Sequence, residues 1–260
     1  MTPFQFGRPG QALYGVYHAP RASVARKAAV VLCAPVAHEY MRTHIALRAL
    51  AGQLARSGLH VLRFDYLGTG DSAGEPAELR LEFWLQDIGL AERELREISG
   101  AEQMSLVGLR LGATLAGAAL ARGIATADQL VLWDPVVEGR SYLAGIEALH
   151  RQFAALRATP PTETTEIFGF PFPPALRRGI EELDLAELAD NVRAQRLTLA
   201  VSTQCAEYVQ LRERLARAGR EVDYRHVQDA GDWDSLDMAF NAVLAGRIQQ
   251  AVAGGLAAFA

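Results

Sequence analysis

The sequence is poor in cysteine and in long apolar runs, and these two shortages exclude several classes of protein. Two cysteines in 260 residues are too few for a disulfide framework or a zinc cluster, so we expect both to be reduced thiols. The longest apolar runs, 28–37 and 251–260, are about half of the roughly 18 residues that a membrane-spanning helix requires. We therefore expect no membrane span, and no residue pattern indicates a metal or another cofactor.

An excess of charge of either sign is also missing. The 26 Lys and Arg residues against 30 Asp and Glu residues give a net charge of −4, without the clustered basic surface that nucleic acid binding requires. Residues 1–6 do not combine a basic segment with an apolar one, so no secretory signal is visible. The sequence thus predicts a cytoplasmic protein that does not bind nucleic acid.

What the sequence does contain is an alternation of strand and helix patterns. Apolar runs and alternating stretches predict strands, and apolar residues at helical spacing predict helices between them. This alternation is typical of a doubly wound, mostly parallel sheet with helices on both faces. The predicted strands are 14–18, 28–34, 60–65, 104–107, 130–134, 197–202 and 221–227, and the predicted helices outside the insertion are 43–57, 81–98, 110–121 and 240–259.

One long segment, between the strands at 130–134 and 197–202, breaks the alternation. It holds two helical patterns, 142–158 and 174–189, separated by proline-rich turns. An insertion that follows the carboxyl end of a strand is often a lid over a site. We therefore predict one domain, with a core of residues 1–136 and 196–260 and a cap of residues 137–195. A helical appendage that only packs against the core is the alternative.

The turn between the strand at 104–107 and the next helix carries the most informative motif, Gly108-Leu109-Arg110-Leu111-Gly112. Two bracketing glycines allow a tight turn that holds its central residue in strained geometry and exposes its side chain at the top of the sheet. The usual motif, G-x-S-x-G, presents a nucleophilic serine at this point. An arginine side chain stays protonated and offers only hydrogen-bond donors, so Arg110 cannot attack an acyl carbon.

This turn, the segment FDYLGTGDS at 64–72, the segment LVLWDP at 130–135 and the insertion together resemble the α/β-hydrolase superfamily. The likeness is to its serine-aminopeptidase-like branch and to hydrolase-like proteins associated with exosortase systems, and it covers nearly the whole chain. The resemblance implies an α/β-hydrolase fold with a helical cap after the strand at 130–134. It also implies that Arg110 stands at the position of the catalytic serine and Asp232 at that of the histidine, with the acid near Cys205 or Glu207.

Arg110 has two interpretations. Near the first turn of a helix, its charge and the backbone N–H groups attract anions, so it could bind a carboxylate or a phosphate, including that of a pantetheine-type carrier. Alternatively, it forms an internal ion pair with Asp232, Asp234 or Asp134, because an unpaired buried charge is costly. The two interpretations are compatible if the ion pair orients Arg110 for a ligand.

Other side chains are expected close to Arg110 because they flank the turn or follow a neighbouring strand. His38 is a candidate proton carrier near neutral pH, and a structural hydrogen-bonding residue is the alternative. The candidate catalytic residues are Arg110, Asp232 and His38, and the candidate substrate-binding residues are Arg110, Leu109, Leu111, Asp134, Glu39 and Tyr40.

Three functions follow from these observations. The leading hypothesis is a protein without a standard Ser-His-Asp triad that binds an anionic acyl or carboxylate-bearing small molecule, free or bound to a carrier, at Arg110. The alternatives are an enzyme with rebuilt, non-serine hydrolase or acyl-transfer chemistry, and a structural or partner-binding pseudoenzyme. The stretch 248–260 could pack on its own core or on a second copy, which leaves a homodimer open.

Overall fold

The computed structural model describes residues 1–22, 25–156, 165–217, 221–228, 233 and 246–257. In these residues, eight strands form one sheet in the order β1-β2-β4-β3-β5-β6-β9-β10, and β7 and β8 form a separate hairpin. The strands are β1 (Thr2–Arg8), β2 (Gln11–His18), β3 (Ala28–Cys33), β4 (His60–Phe64), β5 (Gln103–Leu109), β6 (Gln129–Trp133), β7 (Glu166–Ile167), β8 (Phe170–Pro171), β9 (Arg196–Val201) and β10 (Val222–His226).

Helices connect the strands of the main sheet. They are α1 (Ala37–Arg56), α2 (Leu81–Ser99), α3 (Leu111–Ala121), α4 (Gly139–Leu156), α5 (Pro174–Glu181), α6 (Leu185–Leu188), α7 (Ala206–Arg217) and α8 (Gly246–Ala257), with single 3-10 turns at Pro76–Glu78 and Ala189–Asn191. None of the helices in the described ranges is both long and apolar enough to cross a membrane.

The sheet is mostly parallel, as the sequence predicts. β2 runs antiparallel to β1 and to β4, whereas the pairs from β4 through β3, β5, β6 and β9 to β10 are parallel. Leu109 pairs with Trp133, and Trp133 pairs with Ala200. Because parallel strands end at the same edge, this register brings the residues that follow β5, β6 and β9 together.

The alternation of side chains along the strands creates one apolar core on each face of the sheet. Val31 and Leu106 belong to the core that packs under α2 and α3, whereas Val30 and Val107 belong to the core under α1 and α8. Because both faces are covered, β3 is apolar along its whole length and β6 is apolar after its first residue, Gln129. The continuous apolar runs predicted as buried strands are therefore explained by this layering.

Part of the inserted segment between β6 and β9 packs directly against the main sheet and its helices. Phe172, Ile180 and Leu185 are buried in the same core cluster as the sheet residues under α2 and α3. Gly117 on α3 allows this contact, because a Cβ there would lie 2.7 Å from Cδ1 of Leu185. Part of the segment thus packs directly on the core, and the division into core and cap stays a prediction.

The structure departs from the predicted elements at several ends. α1 begins at Ala37 rather than at 43, so the segment expected as a loop is the buried first turn of a helix. The predicted helix 174–189 is interrupted, because the Asp184 side chain accepts hydrogen bonds from the N–H groups of Ala186 and Glu187 and thereby starts α6. β1 was not predicted, since it is an edge strand with mostly exposed residues. Residues 157–158, 240–245 and 258–259 of the predicted helices lie outside the described residues.

Buried Asp87 gives a first testable prediction about stability. Burial raises the pKa of Asp87 to about 7, while its Oδ2 accepts a hydrogen bond from the N–H of Leu67 at 2.8 Å. Between pH 4 and 7 the unfolded chain is ionised at this position and the folded chain is protonated, so stability falls as the pH rises through this window.

We expect Asp87→Asn to remove this loss, since the amide keeps an acceptor for Leu67 and carries no charge. The variant should unfold at a higher temperature than the original protein at pH 8, with a free-energy gain of at most about 4 kcal/mol. At pH 4 the two should differ little. Thermal unfolding at both pH values measures this. If the melting temperatures of the two proteins differed by the same amount at pH 4 and at pH 8, a titrating Asp87 would be contradicted.

Candidate functional site

The turn that carries Arg110 has strained backbone geometry. Arg110 joins β5 to α3 with φ +53° and ψ −125°, in the left-handed region that non-glycine residues rarely adopt. A Cβ on Gly108 would lie 2.3 Å from Cα of Ala113, and one on Gly112 would lie 2.3 Å from the carbonyl oxygen of Ala34. The two glycines therefore let β5, α3 and the end of β3 approach closely. This arrangement presents Arg110 at the carboxyl edge of the sheet.

Arg110 forms an ion pair with Glu39 on the first turn of α1. Its Nε lies 2.9 Å from Oε1 of Glu39, and the Glu39 side chain is 1% exposed while that of Arg110 is 13% exposed. The hydroxyl of Tyr142 on α4 donates a hydrogen bond to the other carboxylate oxygen, Oε2, at 3.1 Å. Three helices of the chain thus converge on one charged pair at the sheet edge.

Two aromatic rings and a carbonyl oxygen hold the rest of the guanidinium. Cζ of Arg110 lies 4.9 Å from the ring centroid of Trp233 and 6.0 Å from that of Tyr142, within range of cation–π attraction. Nη1 donates a long hydrogen bond of 3.4 Å to the backbone oxygen of Asp134. Within the described part of the chain, Nη2 makes no hydrogen bond, so this end of Arg110 keeps free donors.

The charge of Arg110 is fixed. Burial alone lowers the pKa of Arg110, but the nearby carboxylate of Glu39 and its hydrogen bond outweigh burial and bring the pKa above its ordinary value. The side chain is a permanent cation and a donor only. It can therefore orient and stabilise negative charge, and it cannot act as a base or a nucleophile.

Asp134 is close to Arg110 but its carboxylate serves other partners. Oδ1 accepts the N–H of Ser202 at 2.6 Å, and Oδ2 accepts the indole N–H of Trp233 at 3.2 Å. Burial raises the pKa of Asp134 from its ordinary value. Because β6 and β9 are neighbours, this side chain links the ends of both strands and fixes the Trp233 ring beside Arg110.

The ion-pair partner that the described residues show for Arg110 is Glu39, which the sequence did not suggest in this role. Asp134 offers only its backbone oxygen, and Asp232 and Asp234 lie outside the described residues. The sequence predicts Glu39 as a substrate-binding residue and not as the ion-pair partner of Arg110, because its segment is expected to be a loop. Its position on the first turn of α1, whose backbone starts from a left-handed Ala37, aims the carboxylate at the turn after β5.

Arg110 and Glu39 line a cleft of about 870 Å³, which we call the Arg110 cleft. It lies between α4 and the segments that follow β6, β9 and β10. Most of its lining is apolar or uncharged, and Glu138 and Glu207 add exposed carboxylates. The other lining residues include Val136, Val137, Tyr142, Ile146, Leu149, Ser202, Thr203, Cys205, Tyr208, Gln228 and Trp233.

The other predicted site residues within the described ranges are not in this lining. The side chains of Leu109 and Leu111 are buried in opposite cores, because they flank the turn and point to opposite faces of the sheet. Tyr40 points away from Arg110, and its hydroxyl donates to Oδ1 of Asp65 at 2.7 Å. These three residues shape the turn and a neighbouring pocket instead.

His38 is buried beside the site without joining it. Its ring is 1% exposed and lies 4.5 Å from the ring of Phe168, centroid to centroid. Neither ring nitrogen has a hydrogen-bond partner among the described residues. Burial lowers the pKa of His38. The side chain is therefore neutral near physiological pH and has no hydrogen-bonded path to Arg110 in the described chain.

No histidine lines the Arg110 cleft. The chain has six histidines, and all six lie within the described residues. They are His18, His38, His44, His60, His150 and His226, and none belongs to the lining of the cleft. His226 lies in β10, as predicted.

Sequence reasoning missed Tyr142, Trp233 and Ser202 as neighbours of Arg110. Tyr142 could be found only as the start of a helical pattern, which does not indicate the direction of one side chain. Trp233 directly follows Asp232, the residue expected at the position of the family's histidine. It is separated from Arg110 by more than a hundred residues of sequence. Their proximity depends on the strand order, which a single sequence does not reveal.

The parallel sheet with its antiparallel edge and the strained turn after β5 define the fold of an α/β hydrolase. The family model described as serine aminopeptidase, S33, matches residues 25–164. The chain therefore belongs to this family of α/β hydrolases. A comparison with curated proteins finds no match.

Solved structures of similar fold include esterases, a lactonase and a peptidase. The enol-lactonase from Burkholderia xenovorans LB400 has a TM-score of 0.65 at 14% identity, covering 98% of both chains. Est1E from Butyrivibrio proteoclasticus, with ferulic acid bound, has a TM-score of 0.64 at 14% identity, covering 98% of this chain and 97% of that chain. The proline iminopeptidase from Mycobacterium smegmatis has a TM-score of 0.60 at 13% identity, covering 98% and 97%. At these identities the likeness concerns the fold alone.

Proposed function

We propose that this α/β-hydrolase-family protein binds a small molecule with a carboxylate group at Arg110 and does not hydrolyse it with a Ser-His-Asp triad. One observation carries the proposal: the guanidinium is held on its Nε edge by Glu39 and lines a cleft of about 870 Å³. Its Nη2 end has no partner in the described chain. An oriented guanidinium with free donors matches the geometry of a carboxylate.

The loss of triad chemistry is supported by the residue types in the cleft. A serine nucleophile needs an adjacent base, usually a histidine, to accept its proton. The residue at the strained turn is Arg110, which holds its proton, and no histidine lines the cleft. Ser202 does line it, but this residue follows β9 rather than standing at the strained turn, and no histidine of the cleft is there to accept its proton. The proposed function is therefore binding of a small molecule in the cleft of an α/β-hydrolase fold, without hydrolysis by a triad.

The charges around Arg110 favour a monocarboxylate over a phosphate. Glu39 already offsets the charge of Arg110, and Glu138 and Glu207 also line the cleft. A dianion would meet more repulsion from these carboxylates than a single negative charge would. The apolar side chains of Val136, Ile146 and Leu149 suit an acyl or aromatic tail.

Calorimetric titration with hexanoate and with its neutral analogue hexanamide tests the proposal. Hexanoate should bind and hexanamide should bind at least about tenfold more weakly, because a charge-assisted hydrogen bond contributes roughly 1.5–3 kcal/mol. The charge-balanced double variant Glu39→Gln/Arg110→Gln should lose the preference for hexanoate. Glu207→Gln, at the exposed rim, should keep it.

Hydrolysis assays separate this function from the two alternatives. The protein should not turn over p-nitrophenyl hexanoate or hexanoyl thioesters. Turnover that disappears in the Arg110 double variant would overturn the proposal in favour of rebuilt hydrolytic chemistry. Equal binding of hexanoate and hexanamide, or no binding of either, would favour a structural or partner-binding role.

A further inference from the structure

A second pocket lies on the other side of the residues that follow β3. It has a volume of about 200 Å³ and shares no lining residue with the Arg110 cleft among the described residues. The ends of β3 and β4, the glycine-rich loop after β4 and the β7–β8 hairpin enclose it. We call it the Asp65 pocket, because Asp65 is the charged residue in its lining.

Six aromatic residues line the Asp65 pocket. They come from the sheet, from α1, from α2 and from the inserted hairpin, so the fold assembles them from distant parts of the sequence. The aromatic lining residues are Tyr40, Phe64, Tyr66, Trp84, Phe170 and Phe172. The faces of such rings carry negative electrostatic potential and attract cations.

Asp65 is a buried carboxylate, 9% exposed, without a salt bridge in the described part of the chain. Arg63 acts on it only through a longer-range Coulombic interaction. Its Oδ1 accepts the hydroxyl of Tyr40 at 2.7 Å, and its Oδ2 accepts the N–H of Asp71 at 3.1 Å. Each oxygen keeps a second acceptor position. Buried carboxylates are normally paired with a cation, so this one is suited to a ligand that supplies the positive charge.

The glycine-rich loop holds the carboxylate in place. A Cβ on Gly70, which has φ +53°, would lie 2.1 Å from Oδ2 of Asp65. The hydroxyl of Ser72 donates to the backbone oxygen of Asp65 at 2.6 Å and accepts the N–H of Tyr14 at 2.8 Å. Ser72 thus braces the loop against β2. The carboxylate is fixed before any ligand arrives, which lowers the entropic cost of binding.

We infer that the Asp65 pocket binds a small organic monocation, an ammonium group with apolar substituents, between the Asp65 carboxylate and the surrounding aromatic rings. The size fits, because cavities of about 150 Å³ in other proteins accept a molecule as large as benzene. The chemistry is opposite to that of the Arg110 cleft, which offers a cation to an anion. The inference does not depend on the function proposed for that cleft.

Calorimetric titration with choline and with its uncharged isostere 3,3-dimethylbutan-1-ol tests the inference in the full chain. Choline should bind at least tenfold more tightly than the alcohol. Asp65→Asn should abolish this preference, because the amide keeps the shape of the side chain and its hydrogen-bonding capacity without the charge. Phe170→Leu, on the half-buried hairpin, should weaken choline severalfold and leave the alcohol unchanged.

The controls identify the site. The double variant Glu39→Gln/Arg110→Gln should bind choline as the original protein does, because it alters only the Arg110 cleft. If Asp65→Asn fails to fold, Phe170→Leu alone decides the question. Equal binding of choline and the alcohol, no binding of choline, or unchanged choline affinity in Phe170→Leu would overturn the inference.

Discussion

Replacing Glu39 with glutamine is expected to lower the free energy of unfolding by about 3–5 kcal/mol, the range found when one partner of a buried ion pair is removed. Glutamine has nearly the same shape as glutamate and still accepts a hydrogen bond from Nε of Arg110. The loss of stability therefore measures the contribution of the negative charge of Glu39. Glu39 is 1% exposed and Arg110 13% exposed, and therefore water compensates the uncovered cation poorly. Urea unfolding followed by circular dichroism measures the change.

Two controls define the meaning of this result. The double variant Glu39→Gln/Arg110→Gln removes both charges and should recover most of the lost stability, because the penalty comes from an unpaired buried charge. Glu102→Gln removes a carboxylate from the exposed ion pair with Lys27 and should have no measurable effect, since water screens that pair. A loss below about 1 kcal/mol in the single variant would mean that Arg110 finds another partner or is well hydrated.

Gly112→Ala is expected to be strongly destabilising, with a loss of more than about 3 kcal/mol in the free energy of unfolding or failure to yield folded protein. A Cβ at Gly112 would lie 2.3 Å from the carbonyl oxygens of Cys33 and of Ala34. Both are backbone atoms at the end of a buried central strand, so no side chain can move aside. The yield of folded protein and its melting temperature measure the effect.

Gly145→Ala is the matched control for this substitution. Gly145 is also a helical glycine, on α4, but a Cβ there would have no atom within 4 Å. The change should be neutral or stabilising by up to about 1 kcal/mol, because alanine favours helix. Similar losses of stability in both variants would show that the close approach of Gly112 to the end of β3 does not explain the effect of Gly112→Ala.

The sequence predicted those strands well that are buried on both faces of the sheet. Strands such as β3 and β6 are covered on both faces, and their continuous apolar runs made them visible. The edge strand β1 was missed, because an exposed edge leaves little apolar pattern. The first turn of α1 was also missed, since its buried residues include His38 and Glu39, which look like loop residues in a sequence.

The candidate site was predicted only in part. The paired glycines identified Arg110, because a turn this tight requires them wherever it occurs. The ion-pair partner could not be chosen, since Glu39 is 71 residues from Arg110 along the chain and competing carboxylates stood at equally plausible places. The second pocket was not foreseen, because its aromatic rings come from separate elements.

By itself, the sequence determined the layered α/β architecture, the position of the sharp turn and the permanent charge placed on it. Those features depend on local pattern: apolar runs, glycine spacing and the chemistry of one guanidinium. Only the tertiary structure decided which carboxylate pairs with that charge, which buried carboxylate has no salt bridge among the described residues, and which rings surround each. These depend on strand order and register, which bring together residues that no local pattern connects.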